Sequence, residues 1–361
     1  MSNKSIRRDP RKSEDDGKVV FVGLSGGVDS SVSSALLKEQ GFDVIGVFIK
    51  IWHPELSNCD WKAEMRDAMR VCAHLDIKFQ TIDLSDEYYK DVIGYLIDEY
   101  RIGRTPNPDV MCNKIIKFGH FYDWAMENGA DYVATGHYAS VKNGELIMGV
   151  DRNKDQTYFL WNIKKESLKN TLFPVGEYQK SKVRDLANKF NLPNADKKDS
   201  QGLCFIGDVD LKGFLKKNLE TKQGDVLDEN GEVIGTHDGS EIYTIGERRG
   251  FKINNKVDNQ TAHYVVSKDL DKNTITVSED FQKKDIKINI LNLSKINLLV
   301  DELPNREIEI MVRYNGSLLK AKIEKEKAIF AEPQLLVASG QSVVFYDKNK
   351  CLGGGIVDSV E

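Results

Sequence analysis

The stretch Val19–Ala35, VVFVGLSGGVDSSVSSA, decides the fold. Its first six residues, Val19 to Leu24, are apolar and rich in β-branched side chains, as in a buried parallel strand. Ser25-Gly26-Gly27-Val28-Asp29-Ser30 follows, then a helical segment over Ser31–Gln40 that Gly41 closes. A strand, a glycine turn and a helix start gather free backbone N–H groups around an anion. Two adjacent glycines let the backbone approach a phosphate with no Cβ in the way. Ser25, Ser30 and Ser31 add hydroxyl donors. Asp29 has two readings, an Mg2+ ligand beside a triphosphate or a cap of the helix.

Outward from this unit, strands are expected at Phe42–Ile51, Ile77–Leu84 and Asp131–Gly136. Helices are expected at Trp61–Leu75, with Met65, Ala68, Met69 and Cys72 on one apolar face, from Ser85 as cap to about Arg101, and at Lys114–Asn128. Strands alternating with helices predict an α/β, doubly wound parallel sheet covered on both faces. Ligands of such sheets lie at the carboxyl ends of the strands. Ile49 would border that crevice as an adenine rest or pack in the core, and Gly136 would leave room for a nucleotide. Val141–Val150 reads as a hairpin around Asn143-Gly144, and Lys180–Phe190 as a short helix. Beyond about Asp210 the helical period gives way to short β-type runs between turn signals such as Glu229-Asn230-Gly231 and Tyr314-Asn315-Gly316. Two small all-β domains follow the sheet domain. The expected divisions are a disordered tail over 1–18, a nucleotide-binding catalytic domain over 19–210, a central β domain over 211–281 and a C-terminal β-barrel over 282–361.

The chain has 361 residues, 40% hydrophobic and 30% charged, ordinary for a globular protein of two or three domains. No apolar run approaches the ~18 residues of a membrane span. The first eighteen residues are too charged for a secretory signal, so the expected address is cytoplasmic. Five cysteines, none in a C-x-x-C pair, argue against a disulfide framework and a structural zinc site. A net charge of −5 gives no global nucleic-acid footprint. Locally, residues 164–198 carry nine Lys or Arg against four acids, either a track for a phosphate backbone or a solvated helix face.

Two further segments carry chemistry. In Thr105-Pro106-Asn107-Pro108-Asp109-Val110-Met111-Cys112-Asn113-Lys114, one helical turn puts Asp109 and Cys112 on a common face. A helix N-terminus and Lys114 would lower the thiol pKa and sharpen Cys112 as a nucleophile. The bland alternative is a small buried hydrophobe beside a helix cap. In Asp199–Gly207, Cys204 lies in a glycine-containing loop near Lys197 and Lys198, placed to be reached and activated or packed beneath the loop. Cys72 reads as core, and Cys59 and Cys351 receive no role.

The loop over 25–30 lacks the Walker A ending and the dinucleotide G-x-G-x-x-G. It resembles the SGGxDS loop of the PP-loop ATP pyrophosphatases, which cleave ATP between the α and β phosphates and place AMP on a substrate oxygen. SGGVDSS, TPNPDVMCNK, ATGHY, DQTYFL, DSQGLCFIG and CLGGGI occur in that order between Val19 and Val357. Together they resemble the tRNA-specific 2-thiouridylase family, over nearly the whole chain. The resemblance implies ATP-dependent 2-thiolation of the wobble uridine of tRNA, with Mg2+ and a sulfur-donor protein, a cysteine desulfurase or sulfur carrier, and no membrane. It places ATP on Gly23, Leu24, Ser25, Gly26, Gly27, Val28, Asp29 and Ser30, with Ile49 and Gly136. It makes Cys112 the nucleophile, Cys204 the persulfide carrier and Asp109 a proton-transfer group. Asn107, Pro108 and Asp109 would meet the target base, and His137, Lys154, Asp155, Gln156, Arg313, Tyr314 and Gln341 the tRNA. Gln201 stands where familiar members carry Thr, and the charged N-terminal extension lies outside the likeness. A PP-loop ligase adenylating a small molecule would leave the two cysteines and the β tail without work. A non-catalytic RNA-binding module would leave the phosphate loop idle.

Overall fold

The computed structural model describes residues 17–53, 61–198, 210–254, 262–280 and 287–361. The chain forms two compact units, Met1–Asp86 with Asn113–Gly207, and Glu87–Cys112 with Asp208–Glu361.

In the first unit β1 (Val19–Gly23) leads through α1 (Val28–Glu39) to β2 (Asp43–Lys50), and α2 (Trp61–His74) leads to β3 (Lys78–Asp83). A helical passage follows that from Glu87 to Cys112 belongs to the second unit: α3 (Ser85–Tyr88), a π-helical turn Tyr89–Ile93 and α4 (Gly94–Arg101). The chain returns through α5 (Pro108–Met111), a π-helical run Cys112–His120 and α6 (Phe121–Glu127). Then come β4 (Tyr132–Ala134), the hairpin β5 (Ala139–Lys142) and β6 (Glu145–Met148), β7 (Thr171–Leu172) and α7 (Lys180–Lys189).

The sheet has the order β3-β2-β1-β4-β7, with every pair parallel. Alternation along β1 splits its side chains between two covers. Val20 and Val22, with Leu24 beyond them, pack with Leu37 of α1 and with Ala68 and Cys72 of α2. Phe21 faces the other way, edge-on to Trp124 of α6 at 5.7 Å. Burying each such side chain contributes roughly 1.5–3 kcal/mol, so Val22→Asp would unfold this layer. Gly46 lets α2 approach β2, because a Cβ there would stand 2.5 Å from the Cys72 sulfur. Burial lifts the Cys72 thiol to about 12, as befits a core residue.

Several boundaries differ from expectation. α1 begins at Val28, ahead of the expected Ser31. Met69 is 46% exposed, because α2 turns Val71 and Cys72 inward instead. Ser85 is the first helical residue; Asp83 Oδ1 accepts its N–H at 3.1 Å and so supplies the cap. The helix expected from Lys114 starts at Pro108 and passes through nine residues of π-helix. The hairpin turn holds, with Asn143 at φ 54° and Gly144 at φ 75°, as a primed turn requires.

In the second unit α8 (Leu211–Leu219) precedes β8 (Gly224–Leu227), β9 (Val233–His237), β10 (Lys252–Ile253), β11 (Tyr264–Asp269) and β12 (Thr274–Ser278). Their order is β10-β9-β8-β12-β11, and Val226, Val265 and Ile275 pack with Leu215 of α8 and with Leu96 and Tyr100 of α4. The strands β13 (Lys287–Leu298), β14 (Ile308–Met311), β15 (Leu319–Glu324), β16 (Lys327–Leu335), β17 (Ser342–Asp347) and β18 (Lys350–Val360) follow. They run β13-β16-β15-β14-β17-β18, and a β13–β18 pairing closes the barrel. Its core holds Leu291, Ile310, Val343 and Phe345. The protein is thus a parallel α/β domain followed by two all-β domains.

Candidate active site

The glycine turn presents backbone, not side chains. Leu24 donates its N–H to Val47 O at 2.8 Å and buries its side chain. Gly26 adopts φ +72°, and a Cβ there would meet Glu64 O at 2.4 Å. Gly27 is the N-cap of α1, at φ −85° and ψ 165°. Its carbonyl accepts from Ser31 N at 3.3 Å, Ser31 Oγ at 2.8 Å and Ser30 Oγ at 3.2 Å. The Ser31 hydroxyl is therefore turned into the helix and is not a ligand donor. Gly27 N donates to Ser25 Oγ at 3.3 Å. No side chain caps α1, so the first-turn N–H groups of Val28, Asp29 and Ser30 lie without an intrahelical acceptor at the positive end of the helix dipole. A Cβ on Gly27 would meet only Ser25 Oγ, at 3.2 Å, and otherwise open space.

Asp29 neither caps the helix nor stands alone. Lys180 Nζ lies 2.7 and 2.9 Å from its two carboxylate oxygens, and the Tyr138 hydroxyl donates to Oδ1 at 2.9 Å. Asn194 Nδ2 donates to Gly26 O at 3.0 Å and to Ser31 Oγ at 2.9 Å. Lys197 Nζ donates to Gly26 O at 3.2 Å and pairs with Asp67 at 2.8 Å. Tyr138, Lys180, Asn194 and Lys197 were not legible as loop partners, because they lie more than 100 residues downstream. The basic count over 164–198 also loses force as a docking track. Lys164, Lys180, Lys189 and Lys197 pair with Asp123, Asp29, Glu39 and Asp67, and Arg184 donates to the Ala195 and Lys197 carbonyls.

The turn lies between β1 and β4, where the strand order reverses and open α/β sheets bind ligands. Gly136 borders it after β4. A Cβ on Gly136 would stand 2.6 Å from Ser30 N, so the missing side chain admits the first turn of α1. Ile49 is 4% exposed; its Cδ1 lies 3.6 Å from a Cβ built on Gly23, in the layer shared with Phe121. His137 is 7% exposed, between Phe118 and Phe173 with ring centroids near 6 Å. Burial and then the Lys117 ammonium hold its pKa well below the usual imidazole value. Nε2 faces Lys117 Nζ at 3.4 Å, so the proton of this neutral ring sits on Nδ1 and donates to Thr135 Oγ1 at 2.6 Å. Asp155 is buried, accepting from Gly149 N at 2.8 Å and Thr157 Oγ1 at 2.6 Å, and burial raises its pKa. Gln156 Oε1 accepts from Tyr138 N at 2.9 Å. The pair braces the turn that presents Tyr138 to Asp29.

In the second unit the proline-containing segment starts a helix rather than breaking one. Asn107 is the N-cap, its Oδ1 accepting from Val110 N at 3.3 Å, and Pro108 occupies the first turn. Asp109 also lies in that turn, favourably at the positive end of the dipole. Cys112 ends this turn and begins the π-helical run. It is 0% exposed. It ends the Glu87–Cys112 segment of the second unit, and the chain resumes in the first unit at Asn113. Lys114 Nζ donates to Asn162 Oδ1 at 3.2 Å. Helical insertions of the π type concentrate at functional sites, and apolar periodicity gives no warning of them. Cys204 and Cys59 lie outside the described residues.

Three family models match in order: a tRNA methyl transferase HUP domain over 18–208, a tRNA methyl transferase PRC-barrel domain over 212–279, and an aminomethyltransferase beta-barrel domain over 288–357. A tRNA-specific 2-thiouridylase MnmA of Streptococcus thermophilus is 44% identical over 353 residues, 94% of this chain and 95% of that protein. The chain belongs to the tRNA-specific 2-thiouridylase family. Proteins of the same name from Enterococcus faecalis and Streptococcus pyogenes serotype M3 are 43% and 45% identical, each over at least 94% of this chain and 95% of its relative.

The positions that the thiouridylase resemblance assigns to RNA have varied surroundings. Arg313 is exposed in the turn after β14, and Tyr314 is half-buried beside it. Lys154 is half-buried, its N–H donating to Asp151 O at 3.0 Å. Gln341 is half-buried, and its Nε2 donates to Thr105 O at 3.0 Å. No helix among the described residues is long and apolar enough to cross a membrane.

Proposed function

We propose that this chain is an ATP-dependent tRNA-uridine 2-sulfurtransferase acting on the wobble uridine. The observation that carries the reading is the uncapped start of α1 at the strand-order switch, behind a glycine turn that is open in front of Gly27. Uncapped N–H groups at a helix start suit a phosphate chain. Gly23 to Ser30 hold ATP chiefly through backbone, since Leu24 and Val28 bury their side chains. Ile49 and Gly136 close the nucleotide end. Mg2+, which usually keeps its waters and takes one or two carboxylates with substrate phosphates, would have to displace Lys180 to take Asp29, whose two oxygens that ammonium holds.

The chemistry follows from leaving-group ability. The uridine C2 oxygen is a poor leaving group. Its attack on the α-phosphorus breaks the α–β bond, expels pyrophosphate and leaves C2 bearing O-AMP. Sulfur then arrives as a persulfide on Cys204, loaded by a sulfur-donor protein. Cys112 thiolate attacks the Cys204 sulfur, forming a Cys112–Cys204 disulfide and freeing hydrosulfide. Hydrosulfide adds at C2 and AMP leaves; direct attack by the persulfide is the alternative. Asp109 transfers protons at the base, and Asn107 and Pro108 border it. His137, Lys154, Asp155, Gln156, Arg313, Tyr314 and Gln341 are proposed to lie along the bound tRNA. The division at 19–210, 211–281 and 282–361, behind a tail over 1–18, belongs to the same reading, as does a cytoplasmic address.

The test is a pair of variants. Cys204→Ser is expected to adenylate tRNA without accepting sulfur, and Cys112→Ser to accept persulfide but stall before transfer. Peptide mapping after one turnover without reductant is expected to recover the Cys112–Cys204 bond. Thiolation by both variants at the wild-type rate would overturn the two-thiol scheme.

A further inference from the structure

The peptide between Gly26 and Gly27 has a glycine on either side, so little in its own backbone fixes which way its carbonyl points. Its orientation is set from a segment 168 residues downstream. Asn194 Nδ2 donates to Gly26 O at 3.0 Å and to Ser31 Oγ at 2.9 Å, and Lys197 Nζ donates to the same carbonyl at 3.2 Å. On the other edge of the peptide, Gly27 N donates to Ser25 Oγ at 3.3 Å. Both donors are themselves held. Asp67 of α2 pairs with the Lys197 ammonium at 2.8 Å, and Lys197 N donates to Asn194 O at 3.0 Å. Arg184 of α7 donates to the Ala195 and Lys197 carbonyls at 2.9 and 2.5 Å. Leu192, two residues ahead of Asn194, packs with Val32 and Leu36 of α1.

Asn194 is 7% exposed, and its Oδ1 is buried with no hydrogen-bond partner among the described residues. Turning the amide over does not relieve this, because Gly26 O accepts and cannot donate. The site thus keeps a buried, unsatisfied carbonyl for the sake of two N–H bonds. Packing alone does not favour that arrangement, since a leucine of the same branching would fill the space without it. We infer that Asn194 is a positioning residue for ATP binding, with Lys197 as its second: the two donors hold the Gly26 carbonyl turned away from the phosphates. In the turned-over peptide that oxygen would stand where the Gly27 N–H now points, beside the Ser25 and Ser30 hydroxyls, and would repel a phosphate chain at the start of α1. Gly27 permits that form, because glycine takes a positive φ readily. The clasp keeps the binding-competent form populated, and ATP affinity falls in proportion to the fraction that loses it. This rests on the functional reading above.

The test compares the full-length wild type with Asn194→Leu, Lys197→Met and the double variant, by tRNA-dependent pyrophosphate release over a range of ATP concentrations and by thermal melting. Each single variant leaves one donor on Gly26 O, so its KM for ATP is expected to rise about threefold. The double variant leaves neither and is expected to raise KM roughly thirtyfold, more than the product of the single effects. At saturating ATP the rate is expected to stay within about twofold of wild type, because ATP draws the protein into the competent form. Asn194→Leu is expected to melt no lower than wild type, since the orphaned carbonyl leaves with the donor. A merely structural role would do the reverse, lowering melting temperature and saturated rate together with KM unchanged, and that result would overturn the inference. So would Lys197→Met alone matching the double variant, the mark of a lysine that meets the phosphates directly. Should the double variant unfold, Asn194→Leu carries the test: a raised KM at an unchanged saturated rate supports the clasp, and an unchanged KM overturns it. A wild type that releases no pyrophosphate would instead overturn the functional reading.

Discussion

Lys180 grips both carboxylate oxygens of Asp29, at 2.7 and 2.9 Å, across 151 residues of sequence. The pair ties α7 to the first turn of α1 and neutralises the one acidic side chain in the glycine turn. Lys180→Met leaves that charge facing any bound phosphate, with the Tyr138 hydroxyl still on it. ATP affinity is expected to fall about tenfold, or about 1.4 kcal/mol, with tRNA affinity unchanged. Calorimetric titration with ATP and electrophoretic titration with tRNA check the two halves; equal ATP affinity would make the pair purely structural.

Gly26 and Gly27 separate backbone strain from ligand exclusion. Gly26→Ala forces a side chain onto φ +72° and to 2.4 Å from Glu64 O, so it is expected to lower the melting temperature by several degrees. Gly27→Val keeps φ −85° and meets only Ser25 Oγ, so it is expected to melt near the wild type yet release no pyrophosphate. A folded Gly27→Val variant with normal pyrophosphate release would remove the phosphate-loop assignment.

His137 predicts a pH dependence with a definite sign. Its folded pKa is well below 6.5, so the unfolded chain binds more protons between the two values. Folding stability therefore falls as pH drops below about 6.5. His137→Gln loses its place against Thr135 and is less stable at pH 7.5, but it no longer titrates. The melting-temperature gap between wild type and variant should narrow at pH 5.5. A gap that stays constant or widens would mean that His137 is charged in the folded state.

The sheet, the glycine turn and the hairpin were legible because each has a local signature: a β-branched run, a Gly-Gly pair before a helix, Asn-Gly between short strands. The surroundings of the loop were not. Tyr138, Lys180, Asn194 and Lys197 reach it only through the folded sheet, and no spacing rule links positions so far apart. Gly27 illustrates the limit. A positive φ is expected at Gly27, but the structure gives it to Gly26 and leaves Gly27 extended as the cap. Likewise, the spacing of Asp109 and Cys112 points to a helical turn, and the structure places both in one, Asp109 in its first turn and Cys112 at its end. The start at Asn107 and the π-helical run depend on capping, which the pattern of apolar residues does not encode.

Cys112 and Cys72 share burial but differ in the role proposed for them. Both are close to fully buried, and Cys72 is also pushed up to about 12. In the free protein both are expected to react slowly with iodoacetamide. With ATP and tRNA bound, Cys112 is expected to become at least tenfold more reactive, since a nucleophile must be reached as a thiolate, while Cys72 stays unmodified. Cys112 alkylating as slowly as Cys72 in that complex would exclude it as the attacking thiol.

The most direct test of the account incubates the protein with ATP, Mg2+, a persulfide donor and tRNA. It follows pyrophosphate release and the mass of the wobble nucleoside together. Pyrophosphate release that depends on tRNA is expected, with a gain of about 16 Da at that uridine, sulfur replacing oxygen at C2. Pyrophosphate released equally without tRNA, or release with no change in the nucleoside's mass, would contradict it.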